Sequence, residues 1–293
     1  MHLAATTGAW HEKNCHLNIL NAARKGRYGV IATVAYNIEH IVLDLYELLS
    51  LSLTVDLTIL PWAVTYSDGL PIRAAKDAVS RATVPISLHL DHAQDESLVK
   101  LAADTLSFDS IMVDMSHYGK AEILRKTAEL VQYCADRGIA TDAEPGRIEG
   151  GEDGVMDTGS LEAYFTTMKD VKNFVHAGVD VLAPSFGNIH GEYPERGREL
   201  GLNLLQEIDK ALPNNVLIAL HGTNGFTPQL MKECIQHGVV KINVNKLVLE
   251  DYLIYHCWDG KKHRLTSFMK QGTQKVIRPT VKWLEICGSA GKA

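Results

Sequence analysis

The chain has 293 residues, 46% hydrophobic and 22% charged, an ordinary globular balance with enough length to bury a core that needs no staples. A formal net charge of −6 excludes a nucleic-acid partner held by a broad basic field. Cysteines at positions 15, 134, 234, 257 and 287 show no C-x-x-C spacing, so they read as reduced thiols rather than a disulfide framework.

The opening MHLAATTGAWHEKN lacks the basic-then-apolar order of a secretory signal, and the longest apolar runs are short and interrupted. The expected setting is therefore cytoplasmic, with no membrane partner. In chain order, eight Val/Ile/Leu-rich runs predict strands: GVIATVAYN (29–37), LTVDLTIL (53–60), VPISLHLDH (84–92), SIMVDMS (110–116), IATDAE (139–144), VDVLAPSFG (179–187), VLIALHG (216–222) and VVKINVN (239–245). They alternate little, as strands covered on both faces do. Between them lie helical patterns such as EHIVLDLYELLS, DESLVKLAADTL, KAEILRKTAELVQYCADRG and TPQLMKECIQHG. Two of these end at Gly138 and Gly238, where glycine can cap a helix in the left-handed conformation.

Eight β–α units in a row predict a parallel sheet closed as a (β/α)8 TIM barrel, in a single domain with its core at about 15–256. An open α/β sheet ranks below it, because no Gly-x-Gly-x-x-Gly turn follows an early strand. The stretch PGRIEGGEDGVMDTG (145–159) reads as a mobile active-site loop. The end of the chain, from Leu247 on, reads as a helical extension whose Lys261, Lys262, Arg264 and Arg278 form a solvated face or a subunit contact.

In such a barrel, chemistry gathers at the C-terminal ends of the strands. His89, His92, His117, His190 and His221 fall in or just beyond those ends, together with Asp91, Asp114, Asp142 and Glu144. Three imidazoles from different strands, with a fourth position open, form the usual layout of a catalytic zinc site, and His92, His190 and His221 are the candidates. Asp91 is adjacent to His92. Neighbours on a regular strand face opposite ways, so the strand must turn there for both to enter one site. Asp91 is then either a proton carrier beside the metal or a carboxylate that orients a ligand imidazole. Asp114 and Glu144 are open between a second metal position and hydrogen bonds to ligand imidazoles. GTNG (222–225) and NVNK (243–246) stand where many barrels bind phosphate, the plain alternative being a strand-to-helix turn.

Seven segments together resemble the class II, metal-dependent ketose-bisphosphate aldolases, the family that includes fructose- and tagatose-bisphosphate aldolases. They are AYN (35–37), LHLDHA (88–93), SIMVDMSH (110–117), DAEPGRIEGGEDGV (142–155), FGNIHGEY (186–193), LHGTNG (220–225) and KINVN (241–245). The resemblance implies a zinc-dependent aldolase that makes or cleaves a carbon–carbon bond in a ketose (bis)phosphate through a metal-stabilised enediolate. It also implies a homodimer whose partners are small ketose and aldehyde substrates. By position it implies His92, His190 and His221 as zinc ligands and Asp114 and Glu144 as the place of a second divalent or a monovalent cation. Asp91 matches the acid–base group at the aldehyde-derived oxygen, and Glu152 the group that exchanges the proton on the donor carbon. Asn37, Gly191, Gly222, Thr223, Asn224, Asn243, Val244, Asn245 and Lys246 match the donor and phosphate contacts.

Departures fall in the substrate-holding half. Thr223-Asn224 stands where the family's segment is closer to HGGSG or HGAS, Asn245-Lys246 where it carries threonine, Leu60-Pro61-Trp62 after strand two where it offers small or hydroxyl residues, and Pro145 replaces a leucine. Two further readings follow: an aldolase acting on an unphosphorylated or atypical substrate, and a non-catalytic barrel that binds metal or sugar phosphate. The pairing of Asp91 with Glu152 weighs against the second, because binding alone needs no proton carrier. Lys241, in strand eight, is the one lysine placed for a Schiff base, which makes lysine catalysis the weaker version of the idea.

Overall fold

The computed structural model describes residues 8–41, 54–151, 155–156, 161, 164–194 and 199–293. Eight strands, β1 (Val30–Val34), β2 (Val55–Ile59), β3 (Ile86–Ala93), β4 (Ser110–Val113), β5 (Ala140–Ala143), β6 (Val181–Leu182), β7 (Leu217–Leu220) and β8 (Val239–Val244), close in sequence order. Every pairing is parallel, and β1 closes on β8 with Val30 opposite Lys241. All eight expected strands are present, most of them shorter than expected, while β3 runs one residue further, to Ala93. Nearly every strand residue is buried, because helices cover the outside while side chains fill the inside.

The helices are α1 (Cys15–Gly26), α2 (Pro61–Tyr66), α3 (Leu70–Arg81), α4 (Glu96–Thr105), α5 (Lys120–Ala135), α6 (Met168–His176), α7 (Leu202–Ala211), α8 (Pro228–Gln236), α9 (Lys246–Asp259) and α10 (Leu265–Cys287). Of the helical pattern expected at 39–50, residues 42–50 lie outside the described ones. Gly138 and Gly238 follow α5 and α8 at φ +71° and +96°, as expected of glycines that end a helix. The C-terminal extension is helical, and Lys262, Arg264 and Arg278 are exposed on it. Its far end is tied to the barrel, where Gly29 N–H donates to the Cys287 carbonyl at 2.9 Å. Among the described residues no helix is long and apolar enough to cross a membrane.

Helix α1 lies across the floor of the barrel. Asn14 starts it by accepting Leu17 N–H at 3.0 Å. Its Leu17, Leu20 and Ala23 pack on the inward residues Val30, Met112, Ala140, Val181 and Leu217, in a cluster separate from the main core between strands and helices. One turn of α1 carries a polar residue into the barrel. His16 is fully buried, with Nδ1 3.3 Å from Asp56 and Nε2 3.6 Å from Asp142. Above it the Lys241 ammonium, also fully buried, lies 2.7 Å from Asp142 and 2.9 Å from His89 Nε2. Ser87 donates to Asp56 at 2.6 Å.

Burial opposes a charge on His16, but Asp56 and Asp142 outweigh it and raise the imidazole to about 9. A group held above its unfolded value of roughly 6.5 stabilises the fold fully below that pH and loses its contribution as pH rises through 9. Wild type is therefore expected to lose on the order of 3 kcal/mol from this source between pH 6 and 10, a loss absent from His16→Gln. Chemical denaturation of both proteins across that range checks the difference, and identical pH profiles would contradict it.

Candidate active site

The strand ends bring together the residues that sequence spacing singled out. β3 turns sharply at its end: His92 adopts φ +46°, and the register with β4 shifts between Leu90 and Ala93. A left-handed residue inside a strand is costly for a side chain with a Cβ. Here it resolves the alternation problem, because Asp91 and His92 both end up buried beside His221. His190 arrives from the turn after β6 and His221 from the end of β7.

These three imidazoles face one point. His221 Nδ1 lies 3.1 Å from His92 Nε2 and 3.5 Å from His190 Nε2, and one nitrogen from each ring falls within 4.8 Å of the others. Three ring nitrogens this close cannot satisfy one another with protons, since one shared hydrogen serves a single pair. A cation accepts all three lone pairs. With zinc–nitrogen bonds of about 2.0–2.1 Å, a tetrahedral site spaces its nitrogens about 3.4 Å apart, close to the 3.1 and 3.5 Å at His221. The donor set fits zinc.

Electrostatics agree with a single positive charge at this point. Burial disfavours charging His92, yet Asp91, Asp114 and Glu144 outweigh it and raise the imidazole to about 10. Burial and the His92 charge push His190 down to about 3, and His221 is held well below its ordinary value. The carboxylates around the three rings therefore favour positive charge at this point.

Asp114 accepts from His92 Nδ1 at 2.9 Å, and takes further hydrogen bonds from Gln94 Nε2 at 3.2 Å and Ser116 N–H at 3.0 Å. A carboxylate on the far nitrogen fixes the tautomer and orientation of a ligand imidazole. Glu144 lines the same small cavity as His92, Asp114 and His190, but it accepts from Ile148 N–H rather than from an imidazole. Burial, reinforced by Asp114, raises its carboxyl well above the usual range. The loop after Glu144 is irregular through residue 151, and it is pinned where His190 N–H donates to the Glu149 carbonyl at 2.8 Å. Glu152 lies outside the described residues.

Asp91 is 3% exposed. One carboxylate oxygen accepts from Asn243 Nδ2 at 2.7 Å and the other lies 3.3 Å from His89 Nε2. Burial works against its ionisation, but His92, His89, His221 and Lys241 outweigh burial and hold the carboxyl well below the carboxylate range. It is ionised at neutral pH, beside the three imidazoles.

Beyond them a cleft of about 190 Å³ is lined by Gly191, Gly222, Thr223, Asn224, Asn245 and Lys246, six of the residues matched to donor contacts. Three others sit elsewhere. Asn37 caps the turn after β1, accepting from Glu39 and His40 N–H and donating to Tyr252 at 2.8 Å. Val244 packs into the core, and Asn243 reaches Asp91. Sequence reasoning passed over Glu192, which also lines the cleft and pairs with Lys246. Its place directly after the His190-Gly191 pair was the available signal.

Gly222 leaves no room for a side chain: a Cβ there would lie 2.3 Å from the Ile189 carbonyl oxygen, at φ +70°. Gly222→Ala is expected to cost roughly 2 kcal/mol or more of stability and to displace His221. Thermal unfolding and zinc content check this, and a wild-type result in both would refute it.

A closed barrel with a histidine cluster and a buried carboxylate at its C-terminal rim has the layout of a candidate metal-dependent enzyme site. The chain belongs to the class II fructose-bisphosphate aldolase family, a family of aldehyde-lyases whose sequence profile, fructose-bisphosphate aldolase class-II, matches residues 14–292. A Coccidioides immitis protein with the provisional name fructose-bisphosphate aldolase is 42% identical over 289 residues, covering 96% of each chain. A crystal structure from the same organism, of a protein provisionally described as a fructose-1,6-bisphosphate aldolase, superposes with a TM-score of 0.93. It shares 42% identity, covering 96% of this chain and 98% of that one. A fructose-bisphosphate aldolase from Streptococcus pyogenes serotype M3 is 35% identical, covering 72% of this chain and 74% of its own.

Proposed function

We propose that the protein is a zinc-dependent aldolase that reversibly cleaves a ketose phosphate. The observation that carries this reading is the meeting of His92, His190 and His221 around one point, with the Asp91 carboxylate beside them. Zinc, when bound by these imidazoles, supplies a Lewis acid for the negative charge that develops on the donor ketone oxygen.

In cleavage, Asp91 takes the proton from the hydroxyl on the carbon that becomes the aldehyde. The carbon–carbon bond breaks, and its electron pair stays with the donor fragment. Glu152, by its family position, returns a proton to the donor carbon. Condensation runs the same steps backwards, with Asp91 giving its proton to the new alkoxide. Asn243 and His89 fix the direction in which the Asp91 carboxylate points. Lys246 and the turns at Gly191 and Gly222 supply the donor cleft, and fructose 1,6-bisphosphate is the first substrate to assay.

Purified protein is expected to hold about one zinc per chain, to lose activity with a chelator and to regain it with added zinc. Full activity after complete metal removal rules the mechanism out. A second reading, a donor without phosphate, is favoured by one observation: Lys246 already faces Glu192, and Glu250 lies 3.9 Å away. Kinetics with and without phosphate on the donor separate the two. All five cysteines are unpaired thiols, which supports the cytoplasmic setting.

A further inference from the structure

The turn that presents Asp91 and His92 carries one more polar side chain to the rim. Gln94 directly follows β3, and Asp95 behind it is the N-cap of α4, accepting Leu98 N–H at 2.9 Å. The backbone at Gln94 is thus held on both sides, while its side chain is only half-buried.

That side chain joins two parts of the site. Its Oε1 accepts from Met156 N–H at 2.8 Å, and its Nε2 donates to Asp114 Oδ2 at 3.2 Å and lies 3.4 Å from the Met156 carbonyl. The partners decide which way the amide points. The Met156 N–H can only donate, and Asp114 acts as an acceptor on every side, taking His92 Nδ1 on the same Oδ2 at 2.9 Å and Ser116 N–H on Oδ1 at 3.0 Å. A continuous line therefore runs from the Met156 backbone through Gln94 and Asp114 to the His92 ring.

Met156 belongs to the stretch that follows β5. Gly151 and Val155, on either side of Glu152 in the chain, both line the small cavity at the histidines, as does Met156. On the near side this stretch is tied to His190, whose N–H donates to the Glu149 carbonyl at 2.8 Å. On the far side it is tied through Gln94 to the carboxylate behind His92. Each anchor thus reaches a different imidazole of the cluster.

We propose that Gln94 is a positioning residue that couples the seat of this loop to the metal site. A metal ion at the three imidazoles fixes the His92 ring and, through it, Asp114; Gln94 passes that order on to Met156. Coupling of this kind is reciprocal, so the seated loop raises metal affinity by the factor with which metal seats the loop. On the aldolase reading, which this inference rests on, the same loop carries Glu152, four residues before Met156, assigned by family position to the donor proton. Gln94 then supports turnover through Met156 and not by contact with the reacting atoms.

The test uses the full chain, stripped of metal and titrated with zinc. In wild type, zinc is expected to slow hydrogen–deuterium exchange at the Met156 amide about fivefold or more. Gln94→Ala removes both links, whereas Gln94→Glu keeps an acceptor for Met156 N–H but has no hydrogen for Asp114. Both variants are expected to lose the zinc-dependent protection of Met156 and to bind zinc about fivefold more weakly. With saturating zinc they should exchange the donor proton of dihydroxyacetone phosphate with solvent about tenfold more slowly. A packing defect at this half-buried position would lower the unfolding temperature without changing how Met156 responds to zinc. A wild type whose Met156 amide exchanges alike with and without zinc overturns the inference. So do variants that match wild type in zinc affinity or in donor exchange, and the aldolase reading survives each of these results. Failure of wild type to bind zinc overturns both.

Discussion

Replacing His92 by alanine is expected to lower turnover by on the order of 10³-fold and to strip the protein of its zinc. Three features make this the most damaging single change at the rim. The ring nitrogen removed lies 3.1 Å from His221 Nδ1, at the centre of the cluster. Its other nitrogen is held by Asp114 at 2.9 Å, so the direction of the ring is fixed. The backbone at this position is held at φ +46°, a conformation that alanine adopts no more easily. Two imidazoles leave a divalent ion with too few ligands, and the Lewis acidity worth several kcal/mol goes with it. Zinc analysis and turnover on the same preparation check this. Asp114→Asn should be milder, weakening metal affinity by about 10–100-fold, because it disturbs only the orientation of the ring. Wild-type rates from the His92 variant would break the ligand assignment.

Asp91→Asn is expected to separate chemistry from metal binding. The amide keeps the size of the carboxylate and can still accept from Asn243, but it cannot take a proton from a hydroxyl. Turnover should fall by about 10²–10⁴-fold while zinc content stays at its wild-type level. The contrast with His92→Ala carries the inference: adjacent residues on one turn, one lost with its metal and one lost without it. A variant that keeps wild-type turnover would reduce Asp91 to an orienting residue.

Much of this site could be read before any coordinates, and the reasons are local. The eight strands announce themselves because both faces are covered, leaving continuous Val/Ile/Leu runs between helical patterns. His190 and His221 are each followed by glycine at a strand end, and Asp91-His92 raises its own geometric question. The answer, a left-handed His92 at a shifted register, is a tertiary fact that periodicity cannot contain. Asn37 shows the opposite limit: nothing in its AYN segment announces that its side chain holds a turn and reaches Tyr252, which lies more than two hundred residues away in the chain. His16 was silent for the same reason: only a helix laid across the barrel floor brings it to Asp56 and Asp142.

That floor places a constraint on how the protein can change. His16, Asp56, Asp142 and Lys241 are each fully buried, and each is in reach of charge on another. Removing one partner from such a set strands an uncompensated charge at about 3–5 kcal/mol, whereas exchanging the whole set for well-packed apolar side chains can be neutral. Redesign of the barrel interior has no gradual route through these positions. They must be altered together or left alone.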